Sequence, residues 1–536
     1  MNNSFAGIQK EVLKSEEELT KIVNNILSFS DLIQILKSDF ATQKNDLASL
    51  FKEKQVTHEE YVHELKKLQS VYKIHISDIK QSVGATQKYA FDKYEKNIKY
   101  KKEHKQEIKN ILKSLSDEID ELKKVDKKNS SISTLKEKKK SLVKPISTNF
   151  LKVFSIIAVP LILVCTLLVN YFVYFPNTRN GELDLSKSEY LIAFIIVILT
   201  LVITGIYFYF IVFKVLKKSY IDRENNIFKL TSIGVCGSFL DTIGVGSFAV
   251  ATAGLKATKT MKNDALLPGT LNVGLGIPNL IAGTVFVAAI DVGTITLVSL
   301  VLAAIIGSFL GAELTKRISA KYISVTMGAL LAIVGILMFL IQLDILPSGN
   351  ATSLEGWKLG LGIGLFFVYG GLQAFGIGLY APALATITLL GMDIKVAFPI
   401  MTLASGSAFP LAAYSYYKNN NYLPKTSFGL MVGGTLGVAL AFLVVFVGIE
   451  VGAEVKTAVF TNYLKWLAIL VVYYVAFVLI MSYVKARKKS ASSTKITEHQ
   501  IIYALNNRST WDVDINHHLS ILLKNFNENK QAYEKS

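Results

Sequence analysis

Between residues 150 and 484 the chain is almost continuously apolar. In hydrocarbon every backbone N–H and C=O must be satisfied within the protein, so a chain of this kind folds as spanning helices or a closed barrel. A helix needs about 20 apolar residues to cross the bilayer. Such runs stand at Val153–Phe175, Tyr190–Phe213, Leu230–Leu255, Leu266–Ile290, Val292–Leu314, Val325–Leu346, Leu359–Leu390, Ala397–Tyr416, Ser427–Ile449 and Leu464–Val484. The expected fold class is all-α and polytopic.

Loop charge decides how the runs are threaded, because Lys and Arg concentrate on the cytoplasmic side. Ten simple crossings split the basic loop residues evenly between the two sides. If the third and seventh runs instead enter and return, "KVLKKSYIDRENNIFK", "KATKTMKND", "TKRISAK", "KNNNYLPK" and "KARKK" share one side. The acids Glu182, Asp184, Glu189, Glu450 and Glu454 then fall on the other side. The expectation is eight full crossings plus two re-entrant segments in the cell membrane. No signal peptide is read at the start, so both termini are expected in the cytoplasm.

The ends of the chain are polar. Residues 1–148 repeat apolar positions at alternating spacings of three and four: Val12, Leu19, Ile22, Ile26, Phe29, Ile33 and Leu36; then Tyr61, Leu65, Leu68 and Tyr72; then Ile108, Leu112, Leu115, Ile119 and Leu122. This is the seam of a coiled coil or of an antiparallel helical hairpin. Helix breaks are expected at "KQVTHEE" and "QSVGATQ", and "DKKNSSISTLKEKKKSLVKP" reads as a charged linker facing the anionic membrane surface. Such an arm serves as an oligomerisation stalk, as a docking site for a cytoplasmic partner, or simply as a self-packed bundle. Residues 149–228 form two accessory helices, 229–346 and 357–485 the two halves of a repeat, and 486–536 a polar tail with short helices.

Composition excludes several classes. The formal net charge of +17 lies in runs flanking bilayer segments, with no nucleic-acid module. Cys165 and Cys236 both sit in apolar segments, which supports neither a disulfide framework nor a zinc site. His517 and His518 are adjacent, so a helix turns them about 100° apart and a metal site is not expected. No cofactor is implied. Neither a catalytic triad nor a phosphate loop is present, so an enzyme is not expected.

Sliding the chain by 132 residues matches it to itself: Gly244 meets Gly376, Gly246 meets Gly378, Thr270 meets Thr402, Gly274 meets Gly406 and Pro278 meets Pro410. Each half reads as one re-entrant Gly-rich segment followed by three crossings. An odd number of crossings makes the halves inverted, the pattern of secondary transporters with a site at the repeat interface. The glycine pairs Gly307/Gly311 and Gly433/Gly437 read instead as close helix packing.

At "GSFLDTIGVGSF" (237–248), "GGLQAFGIGLYAP" (370–382), "PGTLNVGLGIP", "MTLASGSAFP" and "GSFLGAELTKRI" the chain resembles the TauE/SafE family of membrane permeases. The resemblance covers roughly residues 230 to 484, with Ser247 and Leu379 where the family often places a third glycine. It implies a permease for sulfite, sulfonates or related organosulfur anions.

With no Lys or Arg deep in either half, anion binding falls to backbone amides at half-helix starts and to hydroxyl or amide side chains. The expected substrate contacts are Gly244, Gly246, Ser247, Thr270, Asn272, Gln373, Gly376, Gly378, Thr402, Ser405 and Ser407. Asp241, opposite Gln373 at the repeat offset, is the expected proton carrier, or else a carboxylate that simply holds the bend. Intramembrane hydroxyls also satisfy their own helices, and that alternative stays open. The expected partners are a small anion and the lipid bilayer. The competing class is a transporter-derived sensor or scaffold working through the arm.

Overall fold

The computed structural model describes residues 2–444 apart from 54, 126–129, 143–148, 175–187, 245, 262–265, 315–328, 344–348, 377 and scattered positions between 330 and 341. Beyond 444 it describes only scattered helical positions from 463 to 484. Most of the runs Val325–Leu346 and Leu464–Val484, and the whole tail with His517 and His518, lie outside the described residues. The chain divides into two compact units, residues 1–31 with 86–480, and residues 32–85 with 481–536.

All described elements are helical apart from one isolated bridge, Ala351 with Met392. Two long helices open the chain, α1 (Asn2–Lys52) and α2 (His58–Glu103). The expected break at "KQVTHEE" occurs, with Thr57 accepting the Glu60 N–H and Glu60 reaching back to the Thr57 N–H, a capping box that starts α2. The break expected at "QSVGATQ" does not occur, because α2 runs straight through it; one glycine costs a helix only about 1 kcal/mol.

In the second unit α1 and α2 pair by stacking Phe40 on Tyr72 and Phe51 on Tyr61, with ring centroids 4.6 and 5.0 Å apart. In the first unit α3 (Lys105–Val125) and α4 (Ser130–Leu142) pack Ile108, Ile111, Leu115 and Ile119 against Ile132, Leu135, Leu142 and Val12. The segment read as a charged linker is therefore partly helix. Ile132, Leu135 and Leu142 put one apolar face among its lysines.

The membrane part follows. Helix α5 (Asn149–Val169) ends in a π-helical turn at Asn170–Tyr174, and α6 (Ser188–Phe210) in another at Ile211–Val215. Next come α7 (Ile227–Thr242), α8 (Ser247–Ala257), α9 (Leu267–Gly274), α10 (Gly276–Ala289) and α11 (Thr294–Leu314). The last set is α12 (Gly356–Ala374), α13 (Tyr380–Leu389), α14 (Ile394–Lys418) and α15 (Pro424–Ala441).

Among the described residues five helices are long and apolar enough to cross a membrane: Phe150–Tyr174, Leu191–Lys218, Thr294–Ala312, Ile394–Lys418 and Pro424–Val444. The pair α9–α10, bent by 44°, passes as one more. The third and seventh apolar runs are not among them. Each is cut in two, and the second pieces, α8 and α13, have 11 and 10 residues. At 1.5 Å per residue such helices reach about 16 Å, half of a hydrocarbon core of about 30 Å.

Glycine decides which helices touch. A side chain on Gly433 or Gly437 would strike the α7 backbone at Thr231 and Val235; on Gly307 or Gly311 it would strike α12 at Phe367 and Gly371. So α7 lies along α15, and α12 along α11, each pair parallel and in backbone contact. The two pairs correspond to each other under the repeat.

Candidate functional site

Both ends of the segment carrying α7 and α8 lie at the start of α15. Ahead of α7, Asn225 Nδ2 donates to Thr426 Oγ1 (3.0 Å), and Asp222 caps α15 by accepting from the Lys425 and Thr426 N–H groups (2.9 and 2.7 Å). Beyond α8, Thr270 Oγ1 accepts from the Leu423 N–H (3.1 Å) and the Thr270 carbonyl from Ser427 Oγ (2.9 Å).

The other broken segment closes in the same way at the start of α11. The Gly293 N–H donates to the Thr352 carbonyl (3.0 Å) and the Leu354 N–H to Thr296 Oγ1 (2.9 Å). The far ends of that segment join through the Ala351 N–H to the Gly391 carbonyl (3.2 Å) and the Asp393 N–H to the Ala351 carbonyl (2.9 Å). Helices α9–α10 run from the first junction to the second, and α14 runs back.

The breaks themselves meet between these junctions. Gly244 and Gly376 hold φ of +104° and +85°, and each N–H closes on the carbonyl three residues earlier, Asp241 or Gln373, at 2.9 Å. A Cβ on Gly246 would lie 3.8 Å from that of Tyr380; one on Gly378 would lie 3.6 Å from that of Phe248. Since 378 and 380 are 246 and 248 moved by the repeat offset, the contact is reciprocal.

A chain of buried polar side chains threads this meeting point. Asp241, 2% exposed, accepts the Ser247 N–H at the start of α8 (2.6 Å) and the Tyr380 hydroxyl. That hydroxyl lies 3.3 Å from Asn279 Oδ1, and Asn279 Nδ2 points at Ser405 Oγ (3.4 Å). Gln373 Nε2 donates to the Ser405 carbonyl (3.0 Å). Asn272 Nδ2 donates to the carbonyls of Gln373 (3.2 Å) and Pro268 (2.8 Å). Asn272 and Gln373 are fully buried, and their side-chain oxygens have no hydrogen-bond partner among the described residues. The chain passes back and forth between the halves.

The structure gathers most, not all, of the expected site residues. Asp241, Gly244, Gly246, Ser247, Asn272, Gln373, Gly376, Gly378 and Ser405 surround the meeting point. Thr270 and Thr402 donate to their own helices, at Leu266 and Phe398, so their hydroxyl protons are spent on backbone, as intramembrane threonines often are. Ser407 is half-buried on α14. The sequence reading missed Tyr380 and Asn279. Tyr380 stands two residues after Gly-x-Gly, and Asn279 is an amide one residue beyond "PGTLNVGLGIP"; both positions carry a signal.

A cavity of about 260 Å³ opens elsewhere, between α6 and α14, lined by Ile203, Ile206, Tyr207, Phe210, Pro410 and Tyr414. Its apolar walls suit hydrocarbon, not an anion. Among the described residues no group of His, Cys, Asp and Glu is arranged to hold a metal.

A second buried network lies between the arm and the loop before α7. Glu16 accepts from Arg223 (3.1 Å), Lys101 (2.7 Å) and Asn97 (2.8 Å), and Arg223 also donates to Thr20 Oγ1 (2.9 Å). Burial pushes the Lys101 ammonium below its usual range, against the pull of Glu16. Burial likewise raises the Asp222 carboxyl, against its bonds from Thr426 and Lys425, and pushes the Tyr94 hydroxyl up to about 12.

Among curated proteins and among solved structures nothing matches the chain. Residues 131–338 match the family described as Sulfite exporter TauE/SafE. The match reaches back over the two accessory helices that the motif resemblance left out, and ends within the first half. Helical, multi-pass and apolar, residues 131–338 are thus similar to the TauE/SafE family of membrane transporters.

Proposed function

We propose that the protein carries a small organosulfur anion, sulfite or a sulfonate, across the cell membrane by alternating access between two inverted halves, residues 229–346 and 357–485. The single observation that carries this reading is the reciprocal contact of Gly246 with Tyr380 and Gly378 with Phe248. Two broken helices meet there, each offering one positive half-helix start in an apolar setting. Re-entrance is supported by the return of each broken segment to its own junction. Inversion is supported by the two junctions lying at opposite ends of α9–α10 and α14. The arm, residues 1–148, is cytoplasmic.

Asp241 supplies the coupling. Its carboxylate already occupies the Ser247 N–H, one of the free amides an anion would take. Like charges in a low-dielectric site oppose each other strongly, so an ionised Asp241 and a bound anion exclude one another. Protonation of Asp241 frees the amide and removes the repulsion, and anion and proton then travel together.

Flux of sulfite and of short sulfonates into vesicles holding the full chain tests the reading. Transport should rise as the outer pH falls, and Asp241→Asn should abolish that pH dependence. An unchanged pH profile in the variant would remove Asp241 from coupling; no flux of any of these anions would end the transport reading.

A second reading rests on the Glu16–Arg223–Lys101 network, which ties the arm to the loop before α7. A sensor or scaffold would work through that tie. Deleting residues 1–145 separates the two: a transporter retains flux, and a sensor loses its output while the membrane part still folds.

A further inference from the structure

The two unpartnered oxygens, Asn272 Oδ1 and Gln373 Oε1, lie where the proposed site would hold its ligand. Neither is an artefact of amide orientation. Turning Gln373 over would set its oxygen against the Ser405 carbonyl, and turning Asn272 over would set its oxygen against two carbonyls. The NH₂ groups are thus fixed by acceptors, and the oxygens are left as acceptors in a dry interior. Such orphans cost roughly as much as a lost hydrogen bond, and native proteins leave few of them.

Both sit by the end of α12, where a half-helix presents its negative pole. A metal cation of the hard kind takes about six oxygens. Two neutral amide oxygens fall short of that, but they suit one N–H or O–H group. The positive starts of α8 and α13 lie across the same breaks.

We infer that the site reads two features of one ligand: an anionic head at the half-helix starts, and a hydrogen-bond donor at Asn272 Oδ1 and Gln373 Oε1. The inference rests on the proposed transport function and narrows its substrate class to small sulfur-oxygen anions that also carry an O–H or N–H. A bare anion of the same size leaves both oxygens orphaned and binds more weakly.

The test compares three sulfonates of matched size as competitors of sulfite flux in vesicles holding the full-length protein: 1-propanesulfonate, 2-hydroxyethanesulfonate and 2-aminoethanesulfonate. One orphaned acceptor is worth roughly 5- to 150-fold in affinity. The hydroxy and amino compounds should therefore compete at least about fivefold better than the propane compound. In Gln373→Met that ratio should collapse towards one, and in Gln373→Glu, which keeps an acceptor, the amino compound should stay preferred. The wild-type ratio needs no variant to fold. Equal competition by all three, the result expected if the two oxygens merely hold a water, would overturn the inference and leave transport standing. An unchanged ratio in a folded Gln373→Met would overturn it too. Failure of all three to compete, with no sulfite flux, would overturn both.

Discussion

Gly376 and Gly364 are both glycines within the second half, yet their backbones differ in what they tolerate. Gly376 holds φ at +85°, and a Cβ there would come within 3.2 Å of Pro268; a Cβ on Gly364 would meet, among the described residues, nothing within 4 Å beyond its own helix. Gly376→Ala should therefore lower stability by roughly 1–3 kcal/mol, and Gly364→Ala should raise it by about 1 kcal/mol. Thermal midpoints in detergent check both, and equal shifts would contradict the assignment of strain. Charge gives the other residue-scale prediction. Arg223 is 5% exposed and faces Glu16, so Arg223→Met removes one of the two cations on that carboxylate and should cost roughly 1–3 kcal/mol, Lys101 keeping the carboxylate paired. Replacing Glu16 by Gln in that background should lower the midpoint further, because it takes the Glu16 counter-charge away from the buried Lys101 ammonium. Much of this scale was legible in the sequence, since Asp241, the Gly-x-Gly pairs, Asn272 and Gln373 are polar or glycine residues in an apolar run. What could not be read was which hydroxyls are already spent. Thr270 and Ser405 look alike on paper, and only packing shows that one caps a loop while the other faces Asn279.

At the scale of elements, small residues set the pairing of α7 with α15 and of α11 with α12. The Gly307/Gly311 and Gly433/Gly437 spacing announces close packing in the sequence. It does not name the partner, because the partner's contribution is backbone, at Phe367, Gly371, Thr231 and Val235. Gly307→Val and Gly433→Val should both fail to yield folded protein, while Gly360→Ala, with open space around it, should express normally. Normal size-exclusion behaviour of either valine variant would mean the helices are not in backbone contact. The arm shows the opposite kind of misreading. "QSVGATQ" has the composition of a break, but α2 absorbs it, and the lysine-rich stretch after α3 hides a helix because three apolar side chains at helical spacing suffice to dock it.

At the scale of the whole molecule, the repeat was visible as a 132-residue offset, and loop charge alone favoured two segments that enter and return. Position between the halves was not legible, because no single-sequence pattern reports that Gly246 faces Tyr380. The central claim is that the halves are threaded in opposite senses, with the Thr258 turn on the arm side and the Thr352 turn on the far side. Single cysteines at these positions, both exposed, in a chain with Cys165 and Cys236 replaced by Ala, allow a direct test with a membrane-impermeant thiol reagent. In intact cells Thr352→Cys should label and Thr258→Cys should not, until the cells are opened. Labelling of Thr258→Cys from outside, or of both alike, would contradict the inverted arrangement and the site built on it.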